Sequence, residues 1–318
     1  MRRYRHVALM TGFIVAVALI AFAIRRMDLA RLGAELRAVQ PAWLFAALLA
    51  YVMILPLWAA QWRVLAPPVA GNRYWNMLGV IALTSTLMNT TAMFLGEAGA
   101  VLLLVTRIGV SRSAALSVLA MDQLLVGVAK LAVIGTASAM IAIPSPLHRG
   151  SLGLAVGVAS LLAACIAISS GQQWLTERLA SVIPARGVQA LRAFSTTLAP
   201  LRSLKRASMS LSLALAKKVV EVLAILCVQR ALGVTPSAAT AVLVLAATSL
   251  STLLPLVPGN IGTYEGAIVF VYLWVGIPLE KAVGMAVVQH ACYFTALALP
   301  GIAWLGRPAL ANDSAVAS

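Results

Sequence analysis

Lys217, Lys218 and Glu221 stand together in an otherwise apolar stretch, and Asp122 and Lys130 stand in another. Glu97 and Glu265 each close a run of small and polar residues, Arg107 follows the first of them, and His290 sits beside Gln289. An ionised side chain inside hydrocarbon costs roughly 2.5–3.5 kcal/mol on insertion scales, so each must be paired, hydrated or used. Ammonium and guanidinium groups can hold a phosphate; a buried carboxylate can take a proton or a cation. Ser/His/Asp sets, HExxH helices and Gly-rich nucleotide loops are absent. Anion binding and charge coupling are therefore the expected chemistry, with no catalysis, no cofactor and no metal.

Each group has two readings. On a helix Glu221 can meet Lys218 at a spacing of three or Lys217 at four. Both lysines can thus be consumed by an ion pair, or by snorkelling toward a membrane surface about two turns away. Alternatively one lysine pairs and the other faces a cavity, where it holds a lipid phosphate with Arg107 as a further ligand. Glu97 and Glu265 lie just before second half-helices, where capping is favoured, or they act as cation or proton sites that couple to gating. The backbone of Gly259, Asn260 and Gly262 offers N–H groups to a phosphate. His290 reads as a satisfied polar residue or as a proton relay. Lys130 follows Asp122 by two turns on nearly the same face, too far for a direct pair. Trp43, Trp58, Trp62, Trp75 and Trp304 fall near expected span ends and read as interfacial anchors.

What must position these groups is a membrane. Of 318 residues, 62% are hydrophobic and only 10% charged, against about 25% charged in ordinary soluble domains. The mean hydropathy is +0.96. Such a chain is an all-α polytopic membrane protein, and disorder, collagen, coiled coil and disulfide scaffolds are excluded. The formal charge of +15 then reads as topology signal and contact with anionic headgroups; no nucleic-acid module is visible. Cys165, Cys227 and Cys292 are isolated and read as reduced packing residues. Arg2, Arg3 and Arg5 followed by an apolar run to Ile24 resemble a signal peptide, but the run is long enough to span and reads as an uncleaved anchor.

Full spans are expected at about 7–24, 42–60, 113–142, 151–170, 209–230 and 282–305, within one transmembrane domain covering 1–318. The basic segment at about 172–206 is expected to be cytoplasmic, and the same orientation puts both termini inside, with twice as many Lys and Arg inside as outside. The basic stretch 25–40 falls outside and fits an amphipathic surface helix. Residues 77–107 and 238–275 are broken in the middle, by Asn89-Thr90-Thr91 through Gly96-Glu97-Ala98-Gly99 and by the stretch from Pro255 to Gly262. Irregular backbone at membrane depth survives only where protein or a watery cavity covers it.

The two broken segments resemble each other. Thr84-Ser85-Thr86 and Thr248-Ser249-Leu250 precede the breaks, and Glu97-Ala98-Gly99 and Glu265-Gly266-Ala267 end them. Gly109 and Gly276 follow, and Asp122 and Gln289 each lie thirteen positions beyond their glycine. In the expected orientation the halves, about 77–142 and 238–305, are inverted, the arrangement that gives transporters two gates around one midplane site.

The run Pro255-Leu-Val-Pro-Gly-Asn-Ile-Gly-Thr-Tyr-Glu-Gly-Ala267, followed by Gly276-Ile-Pro-Leu-Glu-Lys-Ala282, resembles the signature of the lysylphosphatidylglycerol synthase transmembrane region, or flippase-like, family. Gly96-Glu97, Arg107, Asp122 and Trp62-Arg63 are similar to its first half. The resemblance implies a bacterial or archaeal plasma-membrane protein that moves or handles lipids: anionic or aminoacylated phospholipids, or polyprenyl-linked or hopanoid lipids. Lysyl-transferring members carry a soluble catalytic domain after this region; with the sequence ending at Ser318, aminoacyl transfer is not expected. Asn260 replaces a glycine of the family pattern, and Asn tolerates positive φ better than most residues.

The expectation is flippase-like translocation or presentation of an anionic lipid across the bacterial inner membrane. The alternative is a non-catalytic accessory subunit of a lipid- or glycolipid-modifying enzyme, so the expected partners are membrane lipids and, in that alternative, such an enzyme. A structural scaffold would instead have its charges paired off and no cavity.

Overall fold

In a computed structural model of the chain, residues 29–91, 93–169, 203–235, 237–253 and 258–305 are described. The expected first span, most of the cytoplasmic basic segment, and Pro255 to Val257 of the second break lie outside them, as does the side chain of Cys165.

All regular structure among the described residues is helical. Leu29–Arg37 forms α1, Pro41–Val52 α2, Ile54–Leu65 α3, Tyr74–Thr90 α4 and Met93–Leu103 α5, which runs on into a π-turn at Leu104–Ile108. Then come α6 (Arg112–Met140), α7 (Ser145–Ser169), α8 (Leu204–Ala231), α9 (Ala238–Ser251), a 3₁₀ turn at Pro258–Asn260, α10 (Thr263–Trp274), α11 (Leu279–Ala298) and α12 (Ile302–Leu305). Among the described residues three stretches are long and apolar enough to cross a membrane: Pro41–Leu65, Arg112–Met140 and Leu279–Leu305. The expected span at 209–230 lies within the 28-residue α8, whose apolar run is interrupted by Lys217, Lys218 and Glu221. Those charges are tolerated because α8 packs against α2, α3, α6 and α9. The amphipathic segment is α1, which packs on α11 and places Glu35 3.5 Å from Lys281.

The broken segments need one adjustment. In the first, the helix is interrupted only around Thr91 and resumes at Met93, so Gly96 to Gly99 is helical. The small residues there serve packing: a Cβ on Gly96 would meet Met88, and one on Gly99 would meet Leu87. Glycines at such positions let neighbouring helices approach closely within a membrane. The second break is wider, and Gly259 (φ 65°), Asn260 (φ 54°) and Gly262 (φ 88°) all take positive φ. Asn260 thus adopts the left-handed backbone expected of it.

Each half runs helix, break, helix, glycine, helix. Gly109 (φ 82°) and Gly276 (φ 83°) end the second helices in the same left-handed conformation. The halves interlock, with α4 of the first packing on α11 of the second and α9 of the second on α6 of the first. The 14-residue α9 and 12-residue α10 each reach only about 20 Å, less than the ~30 Å hydrocarbon core.

The α4–α11 contact depends on Gly301. A Cβ there would run into Thr86 Oγ1 and the Ala82 carbonyl, next to the 2.6 Å hydrogen bond from the Thr86 hydroxyl to the Ala298 carbonyl. Gly301→Ala is therefore expected to destabilise the chain by about 1–3 kcal/mol, as overpacking does. Thermal unfolding in detergent measures this; an unchanged midpoint would show that the contact yields without cost.

Candidate functional site

The interlocked halves, together with α2, α3 and α8, line a cavity of about 270 Å³. Its charged lining comes from three elements: Asp122 and Lys130 on α6; Lys217, Lys218 and Glu221 on α8; and Glu97 on α5. Gly259 and Asn260 of the second break close another side.

Within this lining Glu221 selects Lys218, whose Nζ lies 2.8 Å from both carboxylate oxygens. Lys217 turns the other way, to α6, and reaches Asp122 Oδ1 at 3.8 Å. Both residues of that pair are only 5% exposed. Trp58 completes it: the indole N–H donates to Asp122 Oδ2 at 3.3 Å, and Lys217 Nζ lies 5.3 Å from the ring centroid. A cation over the indole face is further stabilised by the ring quadrupole. Lys130 has no carboxylate partner among the described residues; its ammonium donates to Thr252 Oγ1 at 3.3 Å. Asp122 and Lys130 share one face of α6, as their spacing implied.

The interfacial reading of the tryptophans therefore fails for two of them. Trp58 lines the cavity, and Trp62 is fully buried, packed edge-on at 5.6 Å against Trp58. Their span continues to Leu65, which places both inside the bundle. Trp75 is exposed, and Trp43 stacks with Arg230 at 4.9 Å.

Glu265 and His290 stand behind the cavity wall. Glu265 is the third residue of α10; its Oε2 accepts the Gly262 N–H at 2.7 Å and its Oε1 lies 2.7 Å from His290 Nδ1. The carboxylate thus reaches back to the helix start, as an acid at this position does in a capping box. The Gly262 N–H is consumed by this bond, while Gly259 and Asn260 remain at the cavity. Glu97 lies inside α5, past its first turn, and lines the cavity with no hydrogen-bond partner among the described residues. Arg107, expected as a phosphate ligand, sits on the π-turn and is not part of the lining. Ten residues of helix separate it from Glu97, about 15 Å.

Gln289, the counterpart of Asp122, reaches the cavity through an intermediary. Its Nε2 donates to the Tyr264 hydroxyl at 3.0 Å, and Tyr264 stacks on Tyr293 at 5.5 Å. Both tyrosines and Tyr51 line the cavity. Sequence reasoning passed over these tyrosines, read Trp58 as an interfacial anchor, and did not join Lys217 to Asp122. The sole advance signal was the matched position of Asp122 and Gln289 in the two halves.

The chain that sets these lysines and carboxylates around one cavity in an all-helical fold matches a family model along most of its length. The lysylphosphatidylglycerol synthase TM region model covers residues 9–301. The chain belongs to this family. Its members' membrane domain ties the chain to membrane lipids, and the motif-bearing residues Glu97, Asp122, Gly259 and Asn260 of this member all face one cavity. None of the curated proteins matches the chain. Among the described residues no group of His, Cys, Asp and Glu side chains is arranged to hold a metal ion.

Proposed function

We propose that this member of the family binds an anionic lipid headgroup in the cavity and translocates or presents it across a bacterial inner membrane, without catalysing a reaction. The termini are then cytoplasmic, a reading that the twofold excess of basic residues on that side supports. The observation that carries the reading is Lys130. Lys217 and Lys218 are each matched by a carboxylate, but Lys130 is held by a hydroxyl alone and faces the same space. A half-buried ammonium with no ion-paired carboxylate is only partly compensated, and a lipid phosphate would neutralise it through charge-assisted hydrogen bonds. The interlocking of α4 with α11 and of α9 with α6 supports the reading of inverted halves, in which movement of one half against the other opens the cavity to either side.

The test is lipid scrambling by the purified chain in liposomes, with headgroup-labelled phosphatidylglycerol and polyprenyl phosphate. Wild type is expected to move at least one of them, and Lys130→Gln to lower the rate about tenfold, the cost of one charged hydrogen bond. No movement of either lipid, with or without an ion gradient, would sink translocation in favour of an accessory subunit. Equal rates for wild type and Lys130→Gln would remove the lysine from the site.

A further inference from the structure

Serine and threonine in a helix ordinarily return their hydroxyl proton to the carbonyl one turn earlier. This chain follows that habit closely. Thr90 donates to the Thr86 carbonyl at 2.7 Å, Ser117 to Ser113 at 3.0 Å, Ser138 to Ile134 at 2.8 Å and Thr248 to Val244 at 3.0 Å. Ser85 on α4 and Ser249 on α9 do not. Each is buried, 1% and 4% exposed, and its hydroxyl has no hydrogen-bond partner among the described residues. Both line the cavity. Thr84 and Ser210 also lack partners but do not line it.

Ser85 and Ser249 occupy matching positions, the middle of Thr84-Ser85-Thr86 and of Thr248-Ser249-Leu250. Each half thus presents one unused hydroxyl to the same space. Three more unpartnered atoms belong to residues of the same lining: Asn260 Oδ1 at the second break, the Tyr51 hydroxyl, and Asp122 Oδ1, which lies 3.8 Å from Lys217 Nζ. An unsatisfied buried polar group costs about 1–3 kcal/mol, and five around one cavity mark a surface shaped for a polar occupant.

The chemistry of these atoms narrows that occupant. A phosphate oxygen only accepts, so it can take the serine protons but cannot satisfy Asp122 Oδ1, which needs a donor, nor Asn260 Oδ1. An ammonium only donates, so although Glu97, Asp122 and Glu221 share the lining with the three lysines, it would leave the serine protons without an acceptor. A hydroxyl both donates and accepts, and so suits serine and amide oxygens alike. The tyrosine wall of Tyr51, Tyr264 and Tyr293 offers the flat apolar faces against which the C–H groups of a polyol can lie.

We propose that Ser85 and Ser249, with Asn260, form a binding site for the hydroxyl groups of a polyol phosphate headgroup, a glycerol or a sugar, whose phosphate lies toward Lys130. This rests on the lipid reading of the cavity and names the headgroup class it selects.

The experiment uses the full chain in mixed micelles and reads apparent affinity from lipid-dependent thermal stabilisation. Phosphatidylglycerol and phosphatidylinositol are compared with phosphatidylmethanol, which carries the same single charge and no hydroxyl, and with phosphatidylcholine. Wild type is expected to bind one of the first two about tenfold more tightly than phosphatidylmethanol, as two or three hydrogen bonds allow. Whichever of the two binds better identifies glycerol or a sugar-like ring. In Ser85→Ala/Ser249→Ala the preference is expected to fall to within about twofold. The ligand-free melting temperature should hold or rise, because the substitution removes unpartnered hydroxyls; a structural role would lower it. Ser249→Ala alone should lose part of the preference. Equal binding of all three anionic lipids by wild type, or a preference that survives the double substitution, would overturn the proposal. Should those three still bind more tightly than phosphatidylcholine, and Lys130→Gln abolish that difference, the anionic reading stands and the polyol site alone has failed. Binding of none above phosphatidylcholine overturns both.

Discussion

Lys217→Met is expected to destabilise the chain by about 3–5 kcal/mol, the range measured when one member of a buried ion pair is removed. Asp122 would be left 5% exposed in the bundle, held by the Trp58 indole alone at 3.3 Å. Neutralising both members is a different matter. The Asp122→Asn/Lys217→Met variant leaves no uncompensated charge, and the amide oxygen that replaces the carboxylate could still accept the indole proton, so most of the loss should be recovered. The size of that recovery is the coupling between the two sites. Unfolding of wild type, the two single variants and the double variant in detergent measures it. Equal stability of the Lys217→Met and double variants would mean that the 3.8 Å approach is incidental and that cavity water screens Asp122. Lipid movement need not recover with stability, since the double variant has lost a cavity cation.

Local rules carried part of this site. Spacing along one helix offered Glu221 either Lys217 or Lys218, of which the structure takes Lys218, and the tolerance of Asn for positive φ anticipated the turn at Asn260, because each depends on residues a few positions apart. The Lys217–Asp122 pair joins α8 to α6, and nothing within either helix encodes that meeting. Trp58 was misread for a related reason. A tryptophan near the end of an apolar run suits an interface, and only the continuation of the span to Leu65, with α8 packed on it, turns the side chain inward. Gly96 to Gly99 was misread because glycine weakens a helix in isolation, whereas here its missing side chain lets α4 and α5 pack. Ser85 and Ser249 were visible as matched positions of the two halves. Their role was silent, because only the structure shows that these hydroxyls decline their own helix.

Glu265 separates two accounts of the second break. Its carboxylate fastens the start of α10 through the Gly262 N–H and ties α10 to α11 through His290, both at 2.7 Å. Each bond to a charged group contributes about 1.5–3 kcal/mol, so Glu265→Ala is expected to cost about 3–5 kcal/mol. Glu265→Gln keeps the shape: one amide atom can still accept from Gly262 and the other can donate to a neutral His290 ring nitrogen, so the loss should be about 1 kcal/mol. If the carboxylate acts only as a fastener, lipid movement follows stability, surviving in the glutamine variant and failing in the alanine variant. The positive-φ turn ahead of α10 puts Gly259 and Asn260 at the cavity, which is how a loosened helix start would reach the headgroup. If protonation of Glu265 is itself a step in gating, the glutamine variant should stay folded and still lose movement, since it can no longer change charge. Thermal unfolding and scrambling of the same two variants decide between these. The fastener is the expected outcome, because both carboxylate oxygens are already engaged within the protein and neither Glu265 nor His290 lines the cavity.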